Sequence, residues 1–202
     1  MSSRIRFSTA RSVFEAFGDL RRIGAPPTDD SAPLDYVGAL LASPRPINAI
    51  VYLAHLLPRR EAVWWARQCV SAIQGERADD EAFRIAGAWV QTPDEERRRA
   101  AMAIGDAADQ RFATTWLALA VGWSGGSIIA AEHTPVLPPP SACAKAANAA
   151  IVLAIVQGDP RSIGPWTQAC VEAGVRFAEG GEARVVAPKP APRDAPLARS
   201  RE

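Results

Sequence analysis

Few residues in this chain of 202 have both the type and the spacing that chemistry needs, so they can be taken one at a time. The run Gly122-Trp123-Ser124-Gly125-Gly126 matches the G-x-S-x-G pattern of a hydrolase nucleophile elbow. That chemistry needs the serine on a sharp turn from strand to helix, with a general base in reach. The residues before Ser124 read as helical, no parallel-sheet pattern precedes them, and His133 is the only histidine downstream. The run therefore reads as a turn that ends a helix. His55, the other histidine, lies in an apolar helical stretch, and neither histidine has a cysteine or histidine at metal-ligand spacing. Asp79-Asp80-Glu81 and Asp29-Asp30 carry enough charge for a cation, but acidic residues gather at helix N-termini for electrostatic reasons alone. Asp106 and Asp109 share a helical face without a second acidic pair to complete a site. Cys69, Cys143 and Cys170 each sit in an Ala/Val-rich stretch with no C-x-x-C spacing, which predicts small buried hydrophobes in a reducing compartment. No catalytic residue, metal site or cofactor is expected.

Recognition chemistry has a better candidate. Leu57-Pro58-Arg59-Arg60-Glu61-Ala62-Val63-Trp64-Trp65-Ala66 places two arginines and a glutamate in the first turn of a helix opened by Pro58. Basic residues oppose the helix dipole there and so require partners. Adjacent helical positions point about 100° apart, so Trp64 and Trp65 cannot share one contact stripe. One arrangement has Arg59 or Arg60 reaching an acidic residue of another helix while Trp65 packs with Cys69 and Ile73. The other makes Arg59, Arg60, Glu61, Trp64 and Trp65 a protein-binding surface, since Arg and Trp are enriched at binding hot spots. Arg97-Arg98-Arg99 directly follows Asp94-Glu95-Glu96, and local pairing on a solvated helix face accounts for it.

These residues must be positioned by helices, because no segment alternates apolar and polar residues and no Asn-Gly or Asp-Gly hairpin turn occurs. The pattern predicts an all-α domain of eight or nine short helices, with stacked helical hairpins as one possible arrangement. Helices are expected over about 9–17, 33–42, 47–56, 58–73, 80–90, 113–123, 142–156 and 164–178. Another is expected after Thr92-Pro93-Asp94-Glu95, with Thr92 as N-cap and Glu95 closing a capping box. Pro58 and Pro93 open helices 35 positions apart, but a repeat of that length would set Trp64 against Arg99, so none is supported. Residues 1–32 supply an N-terminal helix and loop, 33–181 the helical core domain, and 182–202 a disordered Pro/Ala/Arg tail. The segment Thr134-Pro135-Val136-Leu137-Pro138-Pro139-Pro140 should run as extended polyproline II.

A formal net charge of +1 gives no global electrostatic case for nucleic acid or an anionic membrane. Residues 113–131 are uncharged, but Ser124-Gly125-Gly126-Ser127 interrupts them, and the apolar run 146–156 is too short to cross a bilayer of roughly 30 Å. Both read as buried core helices. The N-terminal arginines are not followed by an apolar stretch, so no signal peptide is read. The expected setting is the cytoplasm, with no nucleic-acid or membrane partner.

At Pro58–Ala66, and again at Trp123–Ser127 with Pro135 and Pro138–Pro140 beyond, the chain resembles an uncharacterised family of bacterial proteins of about this length. The resemblance spans about residues 35 to 180. It implies an accessory component met near type VI secretion gene clusters, and it supplies no catalytic residues. The leading expectation is a non-catalytic cytoplasmic adaptor that binds another protein, a secretion-system component being one candidate. The alternative is a helical enzyme or small-ligand binder with one pocket near His55, Glu61 and Trp64. A weaker third is a peripheral membrane protein using its apolar helices.

Overall fold

The computed structural model describes residues 3–75, 79–129 and 133–189. Among them are nine α-helices, two 3₁₀ turns and no strand. Helix α1 (Ala10–Ala16) starts where Thr9 and Ser12 cap each other reciprocally, and a 3₁₀ turn (Gly18–Arg22) follows it. Pro33 occupies the first helical position of α2 (Pro33–Leu41), where its missing N–H costs nothing. Then come α3 (Ile47–Leu56), α4 (Arg59–Gln74), α5 (Glu81–Gln91), α6 (Glu95–Ala107), α7 (Ala113–Gly122) and α8 (Ala142–Val156). A second 3₁₀ turn (Pro160–Ser162) leads into α9 (Ile163–Ala178).

The start of α6 differs from the expectation. Its N-cap is Asp94, whose carboxylate accepts the Arg97 amide at 2.7 Å, two residues beyond Thr92. Thr92 instead ends α5, donating its amide to the Ala88 carbonyl at 3.1 Å. A carboxylate stabilises the positive helix end more than a hydroxyl does, and that difference favours the later start. The 3₁₀ turn after α1 was not legible either, since 3₁₀ pieces are short and carry no strong composition signal.

Helices α7 and α8 are apolar on nearly all sides, and their places in the fold follow from that. Every residue of α7 except Trp116 is buried. Helix α8 packs on α7 and returns to lie across α3 and α4, so the helical hairpins α4–α5 and α6–α7 are closed over one core. Helix α1 joins that same core through Val13 and Phe14. No helix of the described residues is long and apolar enough to cross a membrane.

Helix α9 approaches α3 and α4 closely at Gly174. A Cβ there would lie 2.4 Å from Leu53 Cδ2 and 2.8 Å from Trp65 Nε1. Gly174→Ala should therefore destabilise the protein by about 2 kcal/mol, because overpacking outweighs the gain of about 1 kcal/mol in helix propensity. Urea unfolding checks this, and a stabilised variant would show that α9 can slide.

Both ends of the described chain are tied to α9. The Arg4 amide donates to Ala178 O at 2.8 Å, and Arg176 Nη2 donates to Arg184 O at 2.7 Å. Ala183 is buried, so packing extends past residue 181 into the segment expected to be a tail. Residues 190–202 of that segment lie outside the described residues. The proline segment carries no regular structure, and Leu137 in it is 70% exposed.

Candidate functional site

The two tryptophans of α4 separate as adjacent helical positions must. Trp65 is fully buried, and its Nε1 donates to Cys170 O of α9 at 2.9 Å. It is a core anchor and does not belong to an exposed surface. Trp64 is half-buried, and the Arg67 guanidinium lies 5.8 Å from its ring centroid.

The arginines beside them find carbonyls, where one of the two expected arrangements gave Arg59 or Arg60 an acidic partner. Arg60 Nε donates to Val90 O at 2.7 Å, in the last turn of α5. Arg59 Nη1 donates to Ser124 O at 2.7 Å, just past the end of α7. From the other end of the chain, Arg4 Nη1 donates to Phe177 O and, at 3.0 Å, to Gly181 O where α9 stops. A helix C-terminus concentrates unpaired carbonyls and about half a negative charge, which suits a forked guanidinium as well as a carboxylate does. The partners that Arg59 and Arg60 require against their own helix dipole are thus the C-terminal ends of neighbouring helices.

Arg98 follows the same rule from inside the fold, which corrects its expected place on a solvated face. It is only 4% exposed. Its guanidinium bonds Glu95 Oε2 at 2.6 Å and Oε1 at 2.7 Å, Gly122 O at 2.6 Å and Ser127 O at 2.9 Å. The other two members do pair locally, Arg97 with Asp94 and Arg99 with Glu95 at 2.8 Å. Gly126, with φ of +62°, brings the backbone so close that a Cβ would lie 2.9 Å from Arg98 Nε. The Ser-Gly-Gly-Ser turn is therefore a loop held by Arg98 and Arg59. Ser124 lies in a turn after a helix, with no strand among the described residues, and carries no nucleophile-elbow geometry.

Arg4, Arg60, Glu61, Trp64, Gln91 and Phe177 surround a surface depression of about 220 Å³. Glu61 forms no hydrogen bond or ion pair among the described residues. His55 is not part of this depression. With Arg6, Phe17 and Arg59 it lines a separate cavity of about 490 Å³, so the single pocket expected around His55, Glu61 and Trp64 divides in two. The reason lies in α4, where Arg59 and Arg60 diverge around the helix and one goes to each side. Arg4 and Phe177 were not foreseen as site residues, because they lie 173 positions apart and only the tertiary fold brings them together.

The remaining candidates have structural uses. Asp80 is the N-cap of α5, accepting the Phe83 amide at 3.0 Å and the Thr114 hydroxyl at 2.7 Å. Asp109 pairs with Arg111 at 2.6 Å, and Asp30 with Arg11 at 3.6 Å. Among the described residues no group of three or more His, Cys, Asp or Glu side chains is placed to hold a metal ion. The three cysteines are free and buried; burial pushes the Cys143 thiol up to about 12 and Cys69, beside Cys170, upward as well.

Searches of curated proteins and of solved structures gave no match. The model of the family of unknown function DUF6931 matches residues 36–178, a span that holds α3 to α9 and the Arg59–Ser124 clamp, and the chain belongs to that family.

Proposed function

We propose that this protein is a non-catalytic helical adaptor that binds another protein through the depression around Glu61 and Trp64. The observation that carries the reading is pre-organisation. Arg4 and Arg60 are fixed by bonds to helix-end carbonyls, Trp64 lies beside the Arg67 guanidinium, and Glu61 is left unpaired between them. Arg and Trp dominate interface hot spots, and side chains already held in place lose little freedom on binding. Trp65 drops out of the binding surface, and Arg59 serves the opposite side of α4. A cytoplasmic setting and a type VI secretion partner belong to this proposal through the resemblance of the Pro58–Ala66 and Trp123–Ser127 motifs.

The test is affinity capture from cells that produce the protein, comparing wild type with Trp64→Ala and Glu61→Arg. A specific partner should bind each variant about 30-fold more weakly, the effect of losing a hot spot of about 2 kcal/mol. If both variants fold normally and retain every captured protein, the face is not a binding surface.

A further inference from the structure

On the far side of α4 from the Trp64 face, the 490 Å³ cavity combines three features. Its lining includes His55, a buried residue with one ring nitrogen that has no hydrogen-bond partner. Its walls, including Phe7, Phe17 and Leu57, are apolar. Its lining also includes Arg6 and Arg59.

His55 is 3% exposed, and its Nδ1 lies 2.8 Å from Val51 O one helical turn back. A carbonyl can only accept, so Nδ1 carries the proton. Burial holds the imidazole below its ordinary 6.5, although Asp19 opposes that shift, so at neutral pH the ring is uncharged and Nε2 is an acceptor. Nε2 is buried and has no hydrogen-bond partner. Such a group costs stability unless something donates to it, and His55 is one of the residues that line the cavity. The Phe17 ring stands edge-on to the imidazole with centroids 5.1 Å apart. Asp19, the nearby acid, is engaged by Lys145 Nζ at 2.6 Å, so it does not neutralise Arg6 or Arg59. Arg6 has no partner among the described residues, and Arg59 spends one donor on Ser124 O.

We propose that this cavity is a binding site for a small hydroxylated acid: a shift of the imidazole brings Nε2 within reach of the ligand's hydroxyl, and Arg6 and Arg59 pair with its carboxylate or phosphate. The carbon body of the ligand lies against Phe7, Phe17 and Leu57. An apolar pocket with a few convergent polar groups is the usual form of a small-ligand site. The guanidinium fork suits either acid, and the hydroxyl supplies specificity because a ligand without one leaves Nε2 buried and unpaired. The site is independent of the protein-binding face, so Trp64→Ala leaves it intact.

The probes are L-malate and glycerol phosphate, each paired with its counterpart that lacks the alcohol, succinate and propyl phosphate. Binding is followed by NMR of the imidazole nitrogens in the full chain. One or both hydroxylated acids should bind at millimolar concentration or below and shift the His55 Nε2 resonance. The counterpart should bind at least about tenfold more weakly, as should the same probe to Arg6→Ala, a change at an exposed side chain that leaves the fold alone. Preference for malate identifies a carboxylate ligand and preference for glycerol phosphate a phosphate ester. Equal binding of the counterpart, a shift absent from His55, undiminished binding to Arg6→Ala, or no binding by either hydroxylated acid each overturns the proposal. These readings use the wild type and a surface variant, so they hold even if His55 variants fail to fold.

Discussion

Trp65→Ala should lower the unfolding free energy by about 4 kcal/mol, while Trp64→Ala, one residue earlier, should cost about 1 kcal/mol. The indole of Trp65 is fully buried, and α9 closes on it through the Cys170 carbonyl at 2.9 Å and through Gly174. Truncation removes the largest fully buried side chain of the core and leaves a cavity between α4 and α9 that neither rigid helix can fill. Trp65→Phe should lie between, losing one hydrogen bond worth about 1 kcal/mol and part of the volume. Trp64 keeps one side in solvent, so its removal exposes little that was dry. Urea unfolding at a common m-value measures all three. Equal costs at 64 and 65 would mean that the division of labour between the two indoles is wrong.

The second large effect is expected at Arg98. Arg98→Ala should cost about 3 kcal/mol, because it strands the Gly122 and Ser127 carbonyls and empties the space beneath the turn. Arg98→Lys should recover less than half of this, since a single ammonium cannot reproduce a fork that reaches a carboxylate and two carbonyls. Glu95→Gln should be milder, about 1 kcal/mol or less, because the Glu95 side chain is 55% exposed. The Arg98 hydrogen bond holds the Glu95 carboxyl below its ordinary 4.5. That depressed value means the pair contributes stability above pH 4.5, and the contribution is lost as pH falls through the lower folded value. In Arg98→Ala this acid-side loss should shrink. A cost for Arg98→Ala no larger than that for Glu95→Gln would reduce Arg98 to an ordinary surface ion pair.

Much of the fold was legible because local rules agree along the chain. Pro33 at the start of α2, the apolar period of α9 and the uncharged runs of α7 and α8 each point to helices, and the helices are there. The start of α6 was misplaced because Thr92 and Asp94 are both sound caps, and only the end of α5 decided between them. The site was legible in its residues but not in its geometry. Arg59, Arg60, Glu61 and Trp64 stood out by type, yet they divide between two sides of α4. Arg98 looked like one of three equivalent surface charges, and burial set it apart.

By itself the sequence determined the helical class and the fact that Arg59 and Arg60 needed partners. Periodicity, caps and the dipole of a single helix are local, and they can be read within a few residues. Tertiary structure alone decided that those partners are helix-end carbonyls, that Trp65 faces α9 while Trp64 faces solvent, and that His55 opens onto a cavity of its own. Each of these depends on contacts between residues tens of positions apart or more, where side-chain type says that a contact is needed but not which neighbour supplies it.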